Sequence, residues 1–459
     1  MGNNQNELGI KQGIAPRGSE LVKNSTVHPS PFIVIFLISL ALPISFFIGS
    51  IRLSPYRVVI ILLFIPGFLA LLSGKLGKIR ATDKCMMLFA AWGAIALFVT
   101  TPFDSAVQAV GIFIIESLGA YLIGRSLIRN EKTFQQFLRA IFIMLLVMLP
   151  LALYETITDH PIVLDTIRPF FNVIPKGNQA PRFGLHRAQV VFEHPILYGA
   201  FASSLLGLMY YAKIVRSKPV GGIGWLVAAS FASVLSLSSG ALAALFVQYV
   251  LIGWDKITKT IAYRWRILSA LIVSVYLLID LLSNRTPFHV IVTYLTFSTG
   301  SSYNRILIWN YGTAEVWRHP FFGIGFADWE HPSWMSSSMD NFWLVIAVRY
   351  GLPAFILLAA AFIFLFRDVG RIKYTNNNII KYRSGIFTSL AGLIIAGCTV
   401  DYWNAIYCWF LFLLGSGVWM LRDDFDDGMR RTSASQDKHR AIYVVGNSDS
   451  TFYPRGHGN

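Results

Sequence analysis

Apolar residues in this chain come in blocks of about 17–25, the length a helix needs to cross a roughly 30 Å hydrocarbon core. Blocks such as Pro31 to Gly49 are apolar throughout. A membrane β-barrel would instead show tracts of about ten residues alternating inward and outward, so that class is excluded. Twelve blocks can be placed, near 31–49, 54–74, 85–101, 106–124, 137–155, 192–212, 220–236, 239–254, 265–282, 341–366, 385–400 and 404–421. The pattern predicts an all-α polytopic membrane protein of about 12 transmembrane helices, a bundle over 31–421. A polar tail, 1–30, precedes it, and a charged tail, 422–459, read as solvated and disordered, follows.

Composition sharpens this. Hydrophobic residues are 54% of the 459, charged residues 14%, and the mean hydropathy is +0.55; soluble domains carry about 25% charged residues. A net charge of +15 would suit nucleic-acid binding, but the basic residues fill the gaps between apolar blocks. With the N-terminus inside, 29 of the 39 Lys and Arg fall on inside segments or the block edges beside them and nine on outside segments or the edges beside them, with Arg349 deeper in a span. That bias predicts cytoplasmic termini and places two long loops, 156–191 and 283–340, outside. The stretch Phe288–Phe297 is too short to span and suits an interfacial element. Inside segments are short and hold no G-x-x-x-x-G-K-[ST] motif, so no nucleotide-driven step is expected. Cys85, Cys398 and Cys408 fall in or beside apolar blocks and read as packing residues, and no removed signal peptide is read at the N-terminus.

Chemistry concentrates in three outer segments. Pro181 to Gly199 crowds Arg182, His186, Arg187, Glu193 and His194 at one membrane entrance. Such a cluster suits either an interfacial anchor with snorkelling side chains or a site for a lipid pyrophosphate, whose oxygens match guanidinium forks. Tyr303 to Trp334 holds Arg305, Trp309, Arg318, His319, Asp328 and His331. Arg305, Ile308 and Trp309 at helical spacing would put a cation beside an aromatic plane, as phosphate and sugar binding need; an ordinary amphipathic helix gives the same pattern. HPFFGIG reads as a helix stop followed by a glycine turn. His319, Asp328 and His331 lack a tight ligand pair, so no metal or other cofactor is expected. Third, Asp340-Asn341 opens a span, where Asp is an expected helix cap and is also placed to act as general base on a sugar hydroxyl. Arg349, deeper in the same span, is costly in lipid and is a further candidate for anion binding.

Together these segments, over roughly 180–360, resemble the superfamily of O-antigen ligases and of O-antigen and exopolysaccharide polymerases, the Wzy-like membrane glycosyltransferases. Arg187 with His194-Pro195 and Gly199 resembles the family's first Arg segment. Arg305 through His319-Pro320 and Gly323-Ile324-Gly325 resembles its second, and Asp340-Asn341 followed by Gly351-Leu352-Pro353 its element after the large loop. Ligases usually begin that element with His, and many relatives carry Ser-Arg-Gly where this chain has Ser236-Leu237-Ser238-Ser239-Gly240. The resemblance implies a metal-independent polymerase in a bacterial inner membrane, with both long loops periplasmic, acting on an undecaprenyl-pyrophosphate-linked oligosaccharide. A flippase and a chain-length regulator would be its partners. Arg187 and Arg305 would neutralise the pyrophosphate, helped by Arg182, Arg318 or Arg349. Asp340, or else Glu193 or His194, would accept the proton of the attacking hydroxyl. A ligase would use the same site; a secondary transporter would need broken helices in two matched halves.

Overall fold

A computed structural model describes residues 30–421, apart from 50, 178, 216–219, 285 and 296–298; the two tails lie outside the described residues. Ten described helices are long and apolar enough to cross a membrane: Pro55–Leu72, Ala81–Thr100, Phe103–Leu127, Glu131–Thr158, Pro195–Ala212, Ser239–Ile257, Arg264–Leu282, Phe342–Arg371, Asn377–Ala396 and Asn404–Leu421. Two shorter apolar helices, Pro31–Ala41 and Gly224–Leu235, fall on the remaining predicted blocks. The protein is an all-α, multi-pass membrane protein.

The first block is helical only in its first half. Pro43 supplies no N–H to continue the ladder, and Phe46–Ile48 turns back to pair antiparallel with Ile51–Leu53. This ribbon docks on the 156–191 loop, where the Ser45 N–H donates to Asn172 O (2.9 Å) and the Ile174 N–H to Pro43 O (3.1 Å). Pro287–Leu295, nine residues, matches the short element predicted there, although Phe297 falls outside the described residues.

Asn404–Leu421 is the axis of the bundle, with Trp409, Phe410 and Phe412 fully buried. It crosses the Phe103–Leu127 helix at backbone distance: a β-carbon on Gly415 would stand 2.1 Å from Tyr121 O, and one on Gly124 2.2 Å from Phe412 O. Small residues at such crossings let van der Waals packing drive association, because lipid offers no hydrophobic gain.

Connections of alternate spans meet at one end of the bundle. Ala188 N–H donates to Leu235 O (3.1 Å), His186 N–H to Thr156 O (3.1 Å), and Phe342 N–H to both Gly397 O (2.8 Å) and Val400 O (3.0 Å). At this end Phe342–Arg371 breaks at Gly351, whose φ of +82° and ψ of 170° are not helical. The carbonyls freed by the break accept from the HPFFGIG turn, Val348 O from the Ile324 N–H (2.9 Å) and Arg349 O from the Gly325 N–H (3.0 Å), while Leu352 N–H donates to Pro320 O (2.7 Å). Broken backbone at membrane depth stands only where neighbouring groups satisfy it in this way.

Candidate active site

The chain from Arg182 to His194 is threaded against the bundle by one carboxylate. Glu155, 2% exposed near the end of its span, accepts from the Gln189 N–H (3.1 Å) and the Val190 N–H (2.8 Å). Val190 is thereby held at φ +54°, costly for a β-branched residue. Gln189 in turn accepts from the Gly177 N–H (2.9 Å) and donates to Pro175 O (3.3 Å), closing the loop over the segment.

Arg187 then points into the protein. Its Nε donates to Ser236 O (3.3 Å) and its Nη1 to Gln179 Oε1 (3.0 Å), while its buried Nη2 has no partner among the described residues. Arg182, on a tight turn through Phe183 and Gly184, donates from Nη1 to Leu237 O (2.6 Å). Arg305, on the Thr299–Arg318 helix and 7% exposed, donates from Nη1 to Ser239 Oγ (3.1 Å), and its buried Nε has no partner among the described residues. Three cations from two distant segments thus dock on Ser236, Leu237 and Ser239 of one connection, which ends at the N-terminus of the Ser239–Ile257 helix. That terminus adds orphan N–H groups and the positive end of a helix dipole.

Burial, followed by the neighbouring charges of Arg182 and Arg305, draws Arg187 down to about 10, with Asp340 opposing; burial lowers Arg305 as well, and Asp340 again opposes. Asp340 is therefore the carboxylate within electrostatic reach of both guanidinium groups. It was expected to cap the following helix, and the structure corrects this. Asn341 is the cap, its Oδ1 accepting from the Leu344 N–H (3.1 Å), while Asp340 accepts from Ser338 Oγ (3.3 Å).

The other predicted residues meet different environments. Glu193 is held by Arg52 (3.1 Å), Trp403 Nε1 (2.7 Å) and Asn404 Nδ2 (2.5 Å), so its lone pairs serve an ion-paired network. Burial, then Arg187 and Arg182, drives His194 down to about 4. Its Nδ1 accepts from the Ile196 N–H (3.1 Å), which places the proton of the neutral ring on Nε2 and makes the side chain a donor. Trp309 stacks on Phe288 (4.2 Å between centroids), while Arg305 turns to Ser239. Arg318 pairs with Glu315 (2.9 Å) and with Glu330, and His319 Nε2 lies 3.4 Å from Glu315 Oε1; buried Glu315 also accepts from the Glu330 N–H (3.2 Å). These two basic residues tie the 319–341 segment to its helix. Arg349 lies over the Phe326 ring, 5.2 Å from its centroid, and lines a cavity with Asp401.

The sequence singles out neither Glu155 nor Asp401, and it marks the 236–240 run only as lacking a customary Arg, not as the dock for the cations. Burial raises Asp401 to about 6, Arg349 and the Tyr402 N–H pull it back, and Asp340 lies within its electrostatic range. A lone Asp between two spans was the available signal.

Residues 224–359 match the model of a family described as O-antigen ligase, Wzy_C. The match takes in the 236–239 connection, Arg305, Asp340 and the break at Gly351, and agrees with the resemblance drawn from the motifs. No curated protein matches the chain. Fold and match define a multi-pass membrane protein carrying an O-antigen-ligase-type segment. The activity class they support is membrane glycan processing of the ligase and polymerase type.

Proposed function

We propose that the protein is a glycosyltransferase that polymerises polysaccharide repeats, exopolysaccharide or O-antigen, from an undecaprenyl-pyrophosphate-linked donor on the periplasmic face of a bacterial inner membrane. The observation that carries this reading is the pair Arg187 and Arg305. Each is buried, each has one guanidinium nitrogen without a partner among the described residues, and both lie in electrostatic reach of Asp340. A buried guanidinium with an unmet N–H is costly, and a pyrophosphate would relieve it at both residues.

In the reaction the acceptor hydroxyl oxygen attacks the anomeric carbon, the bond from that carbon to the pyrophosphate oxygen breaks, and the lipid pyrophosphate leaves with the electron pair. Arg187 and Arg305, with Arg182 beside them, stabilise the charge that grows on it. The hydroxyl proton passes to the Asp340 carboxylate. Because the donor carries its own leaving group, the chain needs no nucleotide. A flippase would supply the lipid-linked repeat and a chain-length regulator would limit the product.

Ligase-type transfer of a finished glycan to a lipid or protein acceptor is the second reading, favoured by the description of the matched family. Purified protein in liposomes with the lipid-linked repeat should give a ladder of lengthening lipid-linked chains. Absence of a ladder, with glycan appearing instead on added lipid A core, would replace polymerase by ligase.

A further inference from the structure

A cavity of about 410 Å³ opens between the Phe103–Leu127, Phe342–Arg371 and Asn404–Leu421 helices, lined by Arg57, Gln108, Glu116, Arg349, Asp401 and Trp403 among others. It adjoins a second, of about 560 Å³, that shares Phe326, Arg349, Asp401 and Trp403 and reaches Ser338 and Met339, the residues before Asp340. Asp340, next in the chain after Met339 and within electrostatic reach of Arg187 and Arg305, links two environments, that of the docked cations and that of these cavities.

Their charges differ. Arg182, Arg187 and Arg305 set three cations against the single carboxylate of Asp340. The ionisable groups lining the smaller cavity balance: Arg57 pairs with Glu116 (2.8 Å), and Arg349 shares the space with Asp401. Arg57 is spent on Glu116, on Arg52 O (2.7 Å) and on Asn404 Oδ1 (3.1 Å), so the pair forms a fixed floor. An anion is drawn to the first environment and gains little in the second. What the second offers is a carboxylate, a guanidinium and an amide, each able to hydrogen-bond hydroxyls, beside the flat faces of Trp403 and Phe326. A sugar ring, polar at its rim and apolar on its face, matches that lining, and the volume lies in the roughly 300–1,000 Å³ range of small-molecule sites.

We propose that this charge-balanced cavity is the acceptor subsite, holding the terminal, uncharged sugar of the acceptor glycan with its attacking hydroxyl toward Asp340. The assignment rests on the glycosyltransferase reading and adds which substrate lies on which side of the carboxylate. Gln108 and Asp401 bind hydroxyls, Arg349 fixes the ring's register, and Trp403 covers its face.

The test uses the full chain in detergent and the repeat oligosaccharide released from its lipid carrier by mild acid, which carries no pyrophosphate. Calorimetry should show saturable binding that changes less than about twofold between low and high salt, since no net charge is neutralised. Gln108→Ala and Trp403→Ala should each weaken it at least tenfold, and Arg305→Ala should leave it unchanged. Melting curves confirm folding, and Gln108, half-buried on a helix surface, decides the matter if Trp403→Ala does not fold. No binding to the wild type, equal binding to Gln108→Ala, a steep salt dependence, or loss in Arg305→Ala would overturn the assignment. Failure of the parent reading shows elsewhere, as wild-type protein that makes no polymer from the lipid-linked repeat.

Discussion

A β-carbon on Gly351 would stand 1.9 Å from the carbonyl oxygen of Phe321: the break in one helix and the turn after another are in backbone contact. Gly351 also sits at φ +82°, where a side chain is strained. Gly351→Ala should therefore lose most folded protein, read by size-exclusion profile and melting temperature. Gly253→Ala, at a helical site with nothing within 4 Å, should be tolerated.

Removing either docked cation tests the phosphate grip. Arg305→Ala and Arg187→Ala should each lower polymer formation by about 10²–10³ at unchanged membrane level. Arg305→Lys should recover only part, because an ammonium cannot reproduce two directed N–H groups. Near-normal polymer in both alanine variants would leave these residues as anchors.

With Asn341 as the helix cap, Asp340→Asn has no cap to remove. Melting temperature should stay unchanged while activity falls by about 10²–10⁴, since an amide takes no proton at neutral pH. A fully active Asn variant removes Asp340 from the mechanism.

His194 titrates at about 4 when folded, against an ordinary value of 6.5. Between those values the unfolded chain binds more protons, so stability falls as pH drops from 6.5 toward 4. His194→Asn can still cap the Ile196 N–H without titrating. The loss of melting temperature between pH 7 and pH 5 should be smaller in that variant than in the wild type.

The distribution of basic residues predicts the orientation. Single cysteines at Gly177 and Ser301, in a background lacking Cys85, Cys398 and Cys408, should react with an impermeant thiol reagent in intact spheroplasts, and one at Ser217 should not. The reverse labelling would put the site on the cytoplasmic face.

Span positions were legible because lipid imposes its own length scale on the apolar blocks; only Pro43 shortened one of them. Arg187, Arg305 and Asp340 were legible as types suited to an anion and a proton. Their partners were not. The side of the helix that Arg305 presents depends on Ser239, 66 residues away, and Trp309, four residues on, found Phe288 instead. Glu155 and Asp401 belong to no motif in the sequence, because what distinguishes them is the distant backbone and the cavity they meet after packing.

Two of the three cations dock on main-chain oxygens, Ser236 O and Leu237 O. The information that aims them is stored in the path of the chain and not in the identity of its side chains. Substitutions at 236 and 237 that keep that path would be silent at the site. Sequence comparison, which scores side chains, would then rank as expendable a segment whose course the chemistry depends on.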